Sequence, residues 1–188
     1  MNNFGSEDPF SVLEDARIAA VLRRLYSEAR RQHFSIIRHL FPHSLSLLLR
    51  RTAPLSEEEM HGFYANKYLA IAERQGGFLY LTARALRAHT VVEFGTSFGL
   101  STLWLAAAVR ANGGGRLVTT ELVPAKARVA RRNFEEAGVS DLIEIREGDA
   151  VPNLATDPSD IDLVFNDGCR CEPAKLYSSW HRVCGQEA

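Results

Sequence analysis

The sequence predicts an α/β fold, with a parallel β-sheet between layers of helices, entered through an all-helical N-terminal segment. Three observations carry this. From residue 91 onward, short apolar runs alternate with longer segments of helical periodicity. The first of those runs, Val91-Val92-Glu93-Phe94, breaks into the turn Gly95-Thr96-Ser97-Phe98-Gly99 and enters the apolar rhythm of Leu100, Leu103, Trp104 and Ala107. Before residue 90, apolar residues recur at helical spacing.

The N-terminal segment predicts a helix from Asp15 to about Thr52, on Ile18, Val21, Leu22 and Leu25 and then Ile36, Ile37, Leu40 and Phe41, with a break or kink at Pro42. Arg17, Arg23, Arg24, Arg30, Arg31, Arg38, Arg50 and Arg51 have a single acid between them, Glu28. A solvated helix face explains them more simply than an anionic partner does. His39 and His43 are four apart, but Pro42 lies between them and no carboxylate is near, so a metal pair is disfavoured. Ser56-Glu57-Glu58-Glu59 fits a capping box for a helix to about Gln75, ended by Gly76-Gly77. Phe78 to Leu86 predicts a further short helix.

The body follows in regular alternation. Strand one is Val91 to Phe94, and its helix runs from Leu100 to Ala111. Strand two is Arg116 to Thr120, closed by Glu121. Pro124 suits the first turn of the next helix, whose buried stripe is Ala127, Ala130, Phe134 and Ala137 and whose C-cap is Gly138. Leu142 to Arg146 is strand three, and Ile161 to Phe165 is strand four. Helical crossovers make the sheet parallel, and such sheets bind ligands beyond the carboxyl ends of their strands. Those ends carry Glu93 and Gly95, Glu121, Asp149 and Asp167.

Composition narrows the classes. The 188 residues suffice for one domain with a core, and 46% hydrophobic with 24% charged residues is a globular balance. A net charge of -1 gives no general pull toward nucleic acid or anionic membrane. No apolar run spans a bilayer and Met1 to Asp8 does not read as a signal peptide, so a cytoplasmic location is expected. Cys169, Cys171 and Cys184, an odd number near the end, form no disulfide framework.

The turn decides between nucleotides. A dinucleotide fingerprint needs Gly-x-Gly-x-x-Gly, whereas here Ser97 replaces the second glycine and the third is out of register. The pattern is Glu93-x-Gly95-x-Ser97-x-Gly99, which resembles motif I of class I S-adenosylmethionine-dependent methyltransferases. Together with Arg146-Glu147-Gly148-Asp149-Ala150 and Asp162-Leu163-Val164-Phe165-Asn166-Asp167-Gly168, the run is similar to small bacterial O-methyltransferases related to catechol O-methyltransferase, over about residues 74 to 168.

That resemblance implies a Rossmann-like three-layer sandwich with strand order 3-2-1-4. It implies S-adenosylmethionine held by Glu93, Gly95, Thr96, Ser97, Gly99 and Ser101, with Glu121 on the ribose hydroxyls and Gly148, Asp149 and Ala150 at the adenine. Asp149 also suits a helix N-cap, which is compatible with that contact. Asp167 matches a catalytic metal ligand of the family, which admits Mg²⁺ as a second cofactor. The implied partner is a small-molecule methyl acceptor of catechol or other hydroxyl type, with no nucleic acid and no membrane, and a homodimer is left open.

The chain also departs from the family. The lysine base three residues after the metal-binding Asp is Arg170 here, and arginine stays protonated. No strand-like run follows Phe165, so strands five to seven are expected to be missing and strand four to be an edge. The expected division is a helical cap over 1–90, a cofactor-binding core over 91–168 and a divergent tail over 169–188. In that tail a zinc site from Cys169, Cys171, His181 and Cys184 fits no established spacing. Two alternatives stand beside the methyltransferase: a cofactor-binding module with impaired catalysis, and a nicotinamide-dependent oxidoreductase, which the motif spacing disfavours.

Overall fold

The computed structural model describes residues 8–48, 71–154 and 159–167, with the backbone course alone over 33–48. A single 3₁₀ turn, Pro9–Val12, leads into α1 (Ala16–Leu48). Then follow α2 (Glu73–Ala85), β1 (Thr90–Phe94), α3 (Leu100–Ala111), β2 (Arg116–Glu121), α4 (Pro124–Ala137), β3 (Ile143–Glu147), α5 (Ala150–Asn153) and β4 (Leu163–Asn166).

The four strands form one parallel sheet in the order β3-β2-β1-β4. Val92 lies beside Val118 on one side and Val164 on the other, which sets the register. From β1 the chain adds strands in one direction and then returns to place β4 on the opposite flank. The order therefore reverses between β1 and β4, and a crevice opens where the chain diverges.

Burial follows the sheet order. Val91 and Val92 point to opposite faces and both are buried, as a central strand requires. Val91 and Leu117 join the large core with α1, α2, α3 and α4, while Val92, Phe94 and Val118 form a smaller cluster with Leu154. Among the described strands β4 is an edge, and Val164 is 43% exposed.

Helix α3 is buried from Leu100 through Val109 because the sheet covers one side and α1 and α2 the other. At its centre Trp104 stacks on Phe10, with ring centroids 5.4 Å apart, and its indole N–H donates to the Tyr26 hydroxyl at 3.1 Å. Burial raises the pKa of that tyrosine to about 12, against the pull of the indole hydrogen bond, so it stays a neutral partner.

Three expectations about the helical segment need correction. Helix α1 runs through Pro42 without a break, since a proline removes one backbone hydrogen bond while the turns on either side keep theirs. Ile71 and Ala72 are not helical, and Gln75 starts a helix instead of ending one: its side-chain oxygen accepts the Ala72 N–H at 2.8 Å. Gly76 and Gly77 lie in the first turns of α2, where a Cβ on Gly76 would sit 2.2 Å from the indole nitrogen of Trp104. That glycine is there to let α2 lie against the indole. The strand limits also move: β3 begins at Ile143 and β4 at Leu163, each one or two residues later than expected. The capping box at Ser56 to Glu59 and the tail from residue 169 lie outside the described residues.

Candidate functional site

The turn after β1 is bound to β2 before it reaches the crevice. The N–H groups of Gly95 and Thr96 both donate to the Thr120 carbonyl, at 3.1 and 2.9 Å. The Thr96 hydroxyl bonds the Thr119 hydroxyl at 2.7 Å and the same Thr120 carbonyl at 3.0 Å. Ser97 then takes a left-handed conformation, φ 49°, uncommon for a residue with a Cβ. Its N–H donates to Glu121 Oε2 at 2.7 Å, and Glu121 Oε1 accepts the Val123 N–H at 2.8 Å. Gly99 caps α3 at φ 90°, and a Cβ there would meet the Phe134 ring at 2.4 Å. Glycine is required at this position on both counts.

Beneath the turn lies Glu93, fully buried. The hydroxyls of Thr102 and Thr119 donate to its Oε2, the latter at 2.8 Å. Its Oε1 has no hydrogen-bond partner among the described residues. Burial pushes this carboxyl up to about 7 against the opposing pull of the Ser101, Thr102 and Thr119 hydroxyls, and the charge of Asp167 adds to the rise. The Ser101 hydroxyl is near enough to act on the charge without completing a hydrogen bond.

The remaining strand ends are tied to the same centre. Gly148, at φ 111°, donates its N–H to the Glu121 carbonyl at 2.9 Å, so the end of β3 abuts the end of β2. Asp149 is exposed and precedes α5, where Ala150 is the first residue. On the other flank the Asp167 N–H donates to the Phe94 carbonyl at 3.0 Å. Asp167 is exposed by area, yet the atoms around it partly desolvate its carboxyl and hold it above the usual range.

A cleft opens at this point, lined by Ile71, Gly95, Ser97, Phe98, Ser101 and Asp167. Of the residues expected from sequence, Gly95, Ser97, Ser101 and Asp167 meet there. Thr96 borders the cleft while its hydroxyl serves β2, and Glu93 lies sealed below. Glu121 reaches the cleft through the Ser97 N–H, and Gly148 to Ala150 stand beyond it at the end of β3. Three lining residues were not expected there: Phe98, Ile71 and Leu100, the last read only as the start of the helix. Phe98 sits between the motif glycines and was readable as a neighbour; Ile71, just before α2, carried no signal in its surroundings. Among the described residues no three His, Cys, Asp or Glu side chains group as a metal site. Arg170 and the cysteine-bearing tail lie outside them, and so do the side chains of His39 and His43.

A parallel sheet with a glycine turn at its switch point, an acid closing on that turn from β2 and further acids at the outer strand ends is the arrangement that the sequence resemblance implied. The comparisons agree. A family model for a methyltransferase domain matches residues 92–184, which takes in most of the tail. A catechol O-methyltransferase of Mycobacterium tuberculosis is 44% identical over 115 residues, 60% of this chain and 50% of that protein. Another, of Niastella koreensis, is 34% identical over 137 residues, 71% of this chain and 58% of that protein. The chain thus spans about half the length of these relatives. Among solved structures, an O-methyltransferase from Streptomyces achromogenes involved in tomaymycin synthesis, in complex with SAM, aligns with a TM-score of 0.57 at 29% identity, covering 74% of this chain and 66% of that one. An O-methyltransferase from Bacillus cereus in complex with SAH aligns with a TM-score of 0.59 at 25% identity, covering 79% and 67%. Over its α/β part the chain is thus similar to O-methyltransferases, with the methyltransferase-domain match confined to residues 92–184.

Proposed function

We propose that this chain binds S-adenosylmethionine in the cleft beyond β1 and serves methyl transfer to a hydroxyl oxygen of a small, catechol-like acceptor. The observation that carries the reading is Glu121, a buried carboxylate that accepts the Ser97 N–H at Oε2 and the Val123 N–H at Oε1 and retains acceptor capacity at both oxygens. The bound SAM and SAH of the two structural neighbours, and the catechol O-methyltransferase names of the two relatives, support it.

The residues fit the cofactor's chemistry. The remaining lone pairs of Glu121 suit ribose hydroxyls, and Asp149 suits the adenine amino group. The first turn of α3 offers N–H groups and the positive helix end to a carboxylate. S-adenosylmethionine supplies the electrophilic methyl on its sulfonium.

The chain's part is alignment and proton removal. Asp167, at the acceptor side of the cleft, accepts the hydrogen bond of the acceptor hydroxyl. It takes that proton as the O–CH₃ bond forms and the S–CH₃ bond breaks with a neutral thioether leaving. A carboxyl held above its usual range is a better base for this than an aspartate within it. Asp167 stands without two further acid, His or Cys ligands among the described residues, which therefore do not make up a Mg²⁺ site.

Transfer of a labelled methyl group to a panel of catechols, with and without Mg²⁺, tests the proposal. The expected result is O-methylated product that falls about a hundredfold in Asp167→Asn, in line with loss of a general base. Cofactor binding without product on any acceptor under either condition would instead identify a binding module.

A further inference from the structure

The cleft's loop is held by more than its glycines. Phe98, between the motif glycines, lines the cleft, and its carbonyl accepts the Asn133 Nδ2–H at 2.9 Å. Asn133 is on α4 and only 4% exposed. Its Oδ1 accepts from Arg24 Nη2 of α1, also at 2.9 Å. The guanidinium is in turn fixed by Glu136, at 3.1 and 2.7 Å, and by Glu28 at 2.8 Å. A second residue of α4, Lys126, seven positions earlier and therefore on the same helix face, places its ammonium 5.6 Å from the Phe98 ring centroid.

The chemistry of the chain of bonds fixes its direction. Guanidinium only donates and a backbone carbonyl only accepts, so the Asn133 amide must turn its oxygen to Arg24 and its nitrogen to Phe98. An amide free to rotate has two nearly equivalent settings; this one has a single setting, which Arg24 of α1 and the Phe98 carbonyl enforce from opposite ends. The bonds therefore join the N-terminal helix to the loop that lines the cofactor cleft.

We propose that Asn133 is a positioning residue for cofactor binding, with Arg24 as the group that orients it, so that docking of α1 sets the conformation of the Phe98 loop. The inference rests on the cofactor reading above for its functional consequence. Loss of the Asn133 donor leaves the Phe98 carbonyl without this partner and frees the loop at the cleft wall, which costs binding before it costs folding.

Asn133→Asp separates the two roles. The aspartate still accepts from Arg24, now as an ion pair, but offers no donor to Phe98. Arg24→Met keeps the apolar stem and removes the orienting fork. Arg116→Ala, which removes the ion pair to Glu144 between β2 and β3 and touches neither α1 nor the loop, serves as the control. Calorimetric titration with S-adenosylhomocysteine, on variants whose circular dichroism shows them folded, should give about tenfold weaker binding for Asn133→Asp, near the value of one hydrogen bond. Arg24→Met should weaken it less, and Arg116→Ala should leave it unchanged. In parallel, amide hydrogen exchange over residues 97–101 of the unliganded protein should accelerate in Asn133→Asp and Arg24→Met and not in Arg116→Ala. Wild-type affinity and exchange in folded Asn133→Asp would overturn the positioning role. If the wild type itself does not bind S-adenosylhomocysteine, the cofactor reading fails, and exchange alone decides whether Asn133 orders the loop.

Discussion

At the scale of single residues, the site is built from positions where ordinary preferences are overridden. Gly99 must lack a Cβ because its φ is 90° and Phe134 fills the space. Gly99→Ala should therefore lower stability by about 2–4 kcal/mol, from backbone strain and overpacking together. Urea denaturation measures it, and an unchanged midpoint would contradict the packing. Glu93 makes a second, pH-dependent prediction. Its carboxyl is raised from 4.5 to about 7 in the folded chain, so the folded state holds the proton that the unfolded state has released between those values. This contribution to stability is full below about pH 4.5 and is lost as pH rises through about 7. Thermal melting across pH 5–8 should show that decline, and Glu93→Gln should flatten it; parallel profiles for the two proteins would argue against a protonated Glu93.

At the scale of elements, what the sequence made legible was whatever repeats locally. The α4 stripe of Ala127, Ala130, Phe134 and Ala137, its Pro124 start and its Gly138 cap all stand as expected, because each depends on neighbours within a few positions. Gly76-Gly77 misled for the opposite reason. A glycine pair after a helical pattern reads as a stop, but its purpose here is a contact with Trp104, 28 residues away along the chain, and no local pattern records that. Gly76→Ala supplies the test. Helix propensity alone favours alanine by about 1 kcal/mol, whereas the indole leaves no room for the methyl. The account predicts net destabilisation of about 2 kcal/mol in chemical denaturation, overpacking outweighing propensity. A more stable variant would mean that the α2–α3 contact yields easily.

At the scale of the whole molecule, the glycine turn and Asp167 pointed to the cleft they line, because a parallel sheet gathers its carboxyl ends by construction. The uses to which those residues are put were less legible. Thr96 gives its hydroxyl to β2, and Glu121 grips Ser97 from 24 positions away; both depend on the register of β1 against β2. Asn133 and Lys126 were invisible for the same reason, being ordinary polar residues on a surface helix until α4 packs on the loop. On the proposed reading, the sheet, the turn and Glu121 act together as one cofactor cradle.

Calorimetry with S-adenosylhomocysteine and with NAD tests that claim most directly. The account predicts saturable one-site binding of S-adenosylhomocysteine, weakened at least about tenfold in Glu121→Ala as the ribose acceptor and the Ser97 anchor are lost together, and no binding of NAD. Binding of NAD with none of S-adenosylhomocysteine would contradict it.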